Sequence, residues 1–313
     1  MQQQLLELAK LRNSNILIYA TGDRPNLCTQ IDEDIIQIFH EVLESIGNQE
    51  NIDLFIYSRG GSTIVPLPLV RLIRKYCTKF GVIVPFRAHS AATMISVGAD
   101  EIYMTRKAEL GPVDPQLQIP QNQGIRTYAT TDLFAYLEFA KSEIGWQQSN
   151  TEISLEILEY FHKYCALPPD LIGKIYRLYT QSRKYIIELA KNRSEGYELE
   201  KDIINQLADI LVSGFGSHDY KIDSIEAKNL GLNIINYSKE LEDSVNSLFN
   251  QMVNDLKLNE PFIPSSPGEE IASIIMSANK IAVKSAIINS VGKNKEGQSI
   301  IDMGITPWIF KAI

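Results

Sequence analysis

The chain has 313 residues, of which 44% are hydrophobic and 22% are charged, a composition typical of globular proteins. Its net charge of −8 disfavours nucleic-acid binding, because neutralising phosphates requires a basic face. The three cysteines form no Cys-x-x-Cys pair, so the sequence predicts neither a disulfide framework nor a metal site. No apolar stretch approaches the roughly 20 residues that cross a bilayer. We therefore expect a cytoplasmic protein without a membrane span.

Short apolar runs alternate with amphipathic stretches over the first hundred residues. The pattern predicts strands at 15–20, 52–58, 81–86 and 102–105, and helices at 31–46, 65–76 and 90–98. Strands that alternate with helices at this spacing favour a parallel sheet with helices on its faces.

The pattern changes after residue 115. Residues 116–126 are polar and interrupted by proline, which predicts a loop. Helices are predicted at 132–144, 154–164 and 168–192, and the next strand-like pattern is at 233–236. The region from about residue 242 again has a helical pattern before it is punctuated by prolines.

Two of the loops that follow predicted strands carry residues suited to acyl chemistry. Gly60 and Gly61 leave backbone amides unshielded, and such amides donate to an oxyanion or a phosphate, although paired glycines also simply form tight turns. Ser90 begins a predicted helix, where serine is usually an N-cap. It becomes a nucleophile only if a base reaches its hydroxyl. His89 is adjacent to Ser90 in the chain and is expected to point elsewhere.

Four segments together resemble one protein family: YSRGGS (57–62), VPFRAHSAATMISVGADEIYM (84–104), AELGPVDPQ (108–116) and SHDYKIDSIEAKNLGLNI (217–234). The combination is similar to the serine dehydrogenase proteinase family of the Clp protease/crotonase superfamily, to which signal peptide peptidase A is also related. The resemblance implies an α/β fold, a Clp/crotonase-like parallel β-sheet spiral with flanking helices, over residues 15–240. Residues 1–14 are then an N-terminal helical segment and residues 241–313 a helical C-terminal extension.

The resemblance also implies the site and the activity. Ser90 matches the nucleophile, while Gly60, Gly61 and the amide of Ala91 match the oxyanion hole. A serine endopeptidase that hydrolyses a peptide or protein substrate without a cofactor is therefore expected, and members of this superfamily imply a homo-oligomer.

The general base is left open by the sequence. The Gly111–Pro115 loop matches the loop that carries the catalytic histidine of the Clp proteolytic subunit, but it contains no histidine here. Lys141 lies at nearly the spacing of the general-base lysine of signal peptide peptidase A. His218 is the other candidate, and it precedes Asp219, which aligns with the aspartate of the Clp-type triad.

Two alternatives to a peptidase share this fold. The missing loop histidine favours a catalytically inactive oligomeric scaffold or peptide-binding protein. Paired oxyanion donors would also suit the enolate of a crotonase-like acyl-thioester enzyme, but a serine at the helix start is typical of the peptidases.

Overall fold

The computed structural model describes residues 1–121, 124–132, 135, 163, 169–236, 238–293 and 299–312. Its helices are α1 (Gln2–Arg12), α2 (Ile35–Ile46), α3 (Pro66–Ile73), α4 (Ala91–Val97), α5 (Pro169–Lys191), α6 (Lys201–Asp209), α7 (Ser224–Asn229) and α8 (Lys239–Asp255). The strands are β1 (Asn15–Thr21), β2 (Asp23–Arg24), β3 (Leu27–Cys28), β4 (Gln49–Tyr57), β5 (Cys77–Val84), β6 (Arg87–Ala88), β7 (Glu101–Met104), β8 (Glu109–Leu110), β9 (Gln116–Gln121), β10 (Gly124–Ala129), β11 (Gly268–Met276), β12 (Ile281–Lys293), β13 (Ser299–Ile305) and β14 (Ile309–Lys311).

A parallel sheet forms the core of the molecule. Strands β1, β4, β5 and β7 pair in parallel in that order, and helices α2, α3 and α4 connect successive strands. These strands are apolar and buried, as expected for a sheet with both faces covered. The predicted α/β class, with a parallel core and flanking helices, is confirmed.

Helices cover both faces of this sheet. Phe39 of α2, Val70 of α3 and Leu189 of α5 lie in one apolar cluster, with the neighbouring residues of α4. Leu8 of α1 and Met252 of α8 lie in a second cluster with Phe55 and other side chains of the sheet. The carboxyl ends of the strands are left for loops, which is where sites form in open parallel sheets.

The predicted helical C-terminal extension is correct only for Lys239–Asp255 and wrong for the strands after it. Strand β11 pairs antiparallel with β1, and β12, β13 and β14 extend the same sheet to eight strands. The physical reason is the wealth of isoleucine and valine in 271–291, because β-branched side chains favour a pleated surface. The predicted loop at 116–126 is also wrong, since β9 and β10 form an antiparallel hairpin there.

A buried ion pair ties the helical layer to the sheet. Asp100 has no solvent exposure, and its carboxylate accepts hydrogen bonds from Arg74 (Nη2 to Oδ1, 2.7 Å), from the Phe80 amide (2.8 Å) and from the Ser194 amide (2.7 Å). Burial alone would raise the pKa of Asp100, but the hydrogen bonds from Arg74, Ser194 and Phe80 hold it below its ordinary value. This carboxylate therefore links α3, β5 and the segment that follows α5.

Asp100→Ala is expected to lower the free energy of unfolding at pH 7 by about 3–5 kcal/mol, because Arg74 loses its carboxylate partner in the interior. The folded-state pKa of Asp100 lies below its unfolded value. Its stabilisation is therefore fully present above the unfolded pKa and is lost as the pH falls through the folded one. Urea unfolding from pH 7 to pH 3 measures both effects, with the exposed Glu50→Ala as the control. Equal losses in the two variants would contradict the prediction.

Candidate active site

The glycine pair and Ser90 meet at one edge of the sheet, as the sequence predicts. Gly60 and Gly61 follow β4, and Ser90 follows β5 and β6 at the start of α4. A Cβ atom added to Gly60 would lie 2.7 Å from Ser90 Cβ and 3.2 Å from the Ala91 nitrogen. Only a glycine allows these two loops to approach so closely.

Ser90 has an unusual backbone conformation. Its φ of 51° and ψ of −114° lie outside the regions favoured by L-residues, and such strain is typical of nucleophiles on sharp strand-to-helix turns. The Ser90 side chain makes no capping hydrogen bond to α4. The hydroxyl is therefore not engaged as an N-cap, although Ser90 stands in that position and is only 7% exposed.

The amides beside Ser90 differ in whether they are free to donate. The Gly60 amide donates to Ser58 Oγ at 3.0 Å, so the predicted oxyanion role does not fit this group in the structure. The Gly60 carbonyl accepts from the Ile31 amide, and the Ile31 carbonyl accepts from Ser62 (2.9 Å each). Within the described part of the chain, the Gly61 and Ala91 amides have no hydrogen-bond acceptor. These two amides are the available donors next to the Ser90 hydroxyl.

A cavity of about 550 Å³ opens onto Ser90 and Gly61. It is bounded by residues 29–32, by Arg59 and residues 61–64, and by residues 114–116. Leu178 of α5, His218, and Lys284 and Ile305 of the C-terminal strands complete its wall. A volume of this size accommodates several residues of an extended peptide or a small-molecule ligand.

His218 and Asp219 are predicted site residues that differ in their relation to the cavity. His218 is exposed on a turn and lines the cavity with Ser90, whereas Asp219 is exposed and does not line it. Lys141 lies outside the described residues, so its position stays a prediction. His89 packs its ring on Gly111 and places Nε2 3.1 Å from Glu109 Oε1. Burial lowers the pKa of His89 against the opposing effect of Glu109.

Sequence reasoning missed three residues of the cavity wall. Asp114 was noted only as a member of the Gly111–Pro115 loop, although it is buried, with 3% exposure, and lines the cavity. Lys284 and Ile305 belong to strands that the sequence interpretation did not predict. Lys284 forms an ion pair with Asp34. The β-branched residues on either side of Lys284, among them Ile281, Val283 and Ile287, are the signal that would have placed it on a strand.

Among the described residues, no group of three or more histidine, cysteine, aspartate or glutamate side chains is arranged to hold a metal ion. None of the helices in the described ranges has both the length and the apolar character needed to cross a bilayer.

Known proteins resemble this chain at the level of a family model, of sequence and of structure. Residues 30–132 match the family model of the ClpP-like SDH-type serine proteinases. Two uncharacterized proteins of Methanocaldococcus jannaschii are similar in sequence. MJ0137 is 28% identical over 203 residues, covering 64% of this chain and 59% of the relative. MJ1495 is 30% identical over 184 residues, which cover 58% of this chain and 51% of the relative. The matching part of the chain thus spans little more than half the length of these relatives.

Among solved structures, a serine-to-alanine mutant of the 1510-N membrane-bound stomatin-specific protease has a TM-score of 0.41 at 17% identity. The alignment covers 76% of this chain and 84% of the chain of that protease. The ClpP protease catalytic domain of Plasmodium falciparum has a TM-score of 0.38 at 13% identity, covering 76% and 91%. The resemblance to the serine dehydrogenase proteinase family is confirmed by the family model over residues 30–132, the segment that contains Gly60, Gly61, Ser90 and Ala91.

Proposed function

We propose that this protein is a serine endopeptidase of the Clp/crotonase superfamily with Ser90 as its nucleophile. The observation that carries the proposal is the position of Ser90. It is a strained residue at a helix start, its hydroxyl makes no cap, and it borders a cavity beside the available amides of Gly61 and Ala91. Acyl transfer needs this combination of a nucleophile and paired donors for the developing oxyanion.

The reaction follows from these positions. Ser90 Oγ attacks the carbonyl carbon of the scissile peptide while a general base takes its proton. The carbonyl oxygen becomes an oxyanion held by the Gly61 and Ala91 amides. The base then returns the proton to the leaving amine as the C–N bond breaks, which leaves an acyl-enzyme on Ser90. Water, deprotonated by the same base, releases the acyl group and restores the hydroxyl.

His218 is the general base that we favour. It lines the same cavity as Ser90, and an imidazole is the side chain most often used for general acid–base catalysis. Its exposure on a turn allows it to approach the hydroxyl when a substrate fills the cavity. A loss of activity in Lys141→Ala with full activity in His218→Ala would assign this role to Lys141 instead.

The proposal also covers the substrate, the assembly state and the location of the enzyme. The cavity has polar and charged walls from Thr29, Asp32, Arg59 and Lys284, which suit the polar backbone of a peptide or protein substrate. A homo-oligomer in the cytoplasm, acting without a cofactor, completes the proposal, and light scattering of the purified protein measures the assembly state.

Covalent labelling tests the proposal directly. The purified protein is incubated with a fluorophosphonate probe, digested and mapped by mass spectrometry. We expect one labelled peptide, modified at Ser90, because the phosphoryl oxygen occupies the place of the oxyanion. Modification of other serines alone, or no modification at all, would contradict the peptidase proposal and favour the inactive scaffold.

A further inference from the structure

We propose that Asp114 is the positioning residue that orients His218 toward Ser90. This inference rests on the proposed function and adds to it a third residue in the Gly111–Pro115 loop. The sequence interpretation assigned the carboxylate of a triad to Asp219 instead.

The first support is the composition of the cavity. Ser90, Asp114 and His218 line one and the same cavity, whereas Asp219 is exposed and does not line it. The nucleophile, an imidazole and a buried carboxylate therefore border the same cavity. The other charged side chains that line it are Asp32, Arg59 and Lys284.

The second support is the link between the two loops. The Val113 amide donates to the Leu211 carbonyl at 2.7 Å, and Leu110 and Ile222 exchange backbone hydrogen bonds of 2.9 and 3.0 Å. The loop of Asp114 thus runs beside the segment 211–222, which contains His218. Asp114 also borders a narrow crevice whose other wall includes residues 211–213 and 215–217, immediately before His218.

The turn that carries His218 is itself held in shape. The rings of Phe215 and Tyr220 stack with their centroids 4.5 Å apart, and Tyr220 donates to Glu226 at 3.0 Å. Gly216 has a φ of 64°, which allows the chain to reverse between the two rings. His218 therefore sits on a defined turn across from Asp114.

The third support is the state of the Asp114 carboxylate. Oδ1 accepts from Thr130 Oγ1 at 3.0 Å and from the Thr131 amide at 3.4 Å, and Oδ2 accepts from Thr131 Oγ1 at 2.8 Å. These three bonds fix the rotamer, yet a carboxylate has about four acceptor positions, so one stays available to an imidazole N–H. A fixed anion beside an imidazole selects its tautomer and stabilises the imidazolium formed when Ser90 loses its proton. Asp114 itself takes no proton in this step.

The kinetic test compares Asp114→Asn with Asp219→Asn on fluorescein-labelled casein. Asparagine keeps the size of the side chain and an oxygen for the threonines, but it lacks the charge. We expect Asp114→Asn to lower kcat by about 100-fold or more with KM within about twofold. Asp219→Asn is expected to stay within about twofold of the wild type in both. Asp114→Glu, which restores the charge, is expected to recover part of kcat.

The second readout does not depend on activity. The chain has four histidines, so NMR of histidine-labelled protein resolves the ring nitrogen signals of His218, assigned by their loss in His218→Gln. Asp114→Asn is expected to shift the ring nitrogen signals of His218 toward those of a mixture of tautomers, because the imidazole N–H loses its carboxylate acceptor.

The outcomes separate the two proposals. Unchanged ring nitrogen signals of His218 in Asp114→Asn, or an equal change in Asp219→Asn, would overturn the positioning role even if Ser90 is labelled and active. A lower Tm alone would show that Asp114 only anchors Thr130 and Thr131. Failure of Ser90 to be labelled contradicts the peptidase proposal, while the His218 ring signals still test whether Asp114 and His218 are paired.

Discussion

Ser90→Ala is expected to lower kcat for the hydrolysis of fluorescein-labelled casein by about 10⁴-fold or more. The substitution removes the oxygen that attacks the scissile carbonyl and leaves the cavity wall otherwise intact. KM should change little, because the alanine variant retains the other residues that line the cavity. Initial rates measured by the release of fluorescent fragments over a range of casein concentrations give both constants.

Two further substitutions separate chemistry from folding. Ser62→Ala removes another hydroxyl from the same cavity, and its kcat is expected to stay within about threefold of the wild type. Ser90→Gly is expected to be as inactive as Ser90→Ala but about 1 kcal/mol more stable than it, since glycine relieves the backbone strain at φ 51°. Comparable activity of Ser90→Ala and Ser62→Ala would argue against Ser90 as the nucleophile.

Gly61→Ala is expected to lower kcat by about 10²- to 10³-fold, the usual cost of losing one oxyanion-hole donor. A Cβ atom at this position would lie 2.3 Å from the Ile31 oxygen and 2.6 Å from the Ile31 nitrogen, both of them backbone atoms. The chain at Gly61 must therefore move away from the segment 29–32, and its amide moves with it. Thermal unfolding should show a lower Tm as well.

The control for Gly61 is a glycine with a positive φ but no close neighbour. Gly47 has a φ of 66°, and nothing lies within 4 Å of its added Cβ atom. Gly47→Ala is expected to cost about 1–2 kcal/mol of stability from backbone strain while kcat stays unchanged. If both variants lose stability equally and neither loses kcat, the Gly61 amide is not an oxyanion donor.

Much of the site could be predicted from local sequence signals. Buried apolar runs located β1, β4, β5 and β7, and the small residues after Ser90 predicted helix α4. Because parallel strands end at the same edge of a sheet, the loops after β4 and β5 had to lie close together. The juxtaposition of the glycine pair with Ser90 follows from this topology.

Other features of the site depend on long-range contacts, which local sequence signals could not show. The use of the Gly60 amide by Ser58 appears only once both residues are placed in space, which leaves Gly61 as the available donor. Strand β11 pairs with β1, which lies near the other end of the chain, so its place in the sheet does not follow from the β-branched residues of 271–291 alone. For the same reason the contribution of Lys284 to the cavity was missed. Asp114 became a candidate site residue only because the structure places it at the same cavity as His218.

The most direct test is a crystal structure of the protein after reaction with diisopropyl fluorophosphate. The phosphorus should be bonded to Ser90 Oγ, with its phosphoryl oxygen about 2.7–3.1 Å from the amide nitrogens of both Gly61 and Ala91. Phosphorus bonded to any other residue, or a phosphoryl oxygen more than about 4 Å from both amides and so beyond hydrogen-bonding range, would contradict the assignment of Ser90 as a peptidase nucleophile.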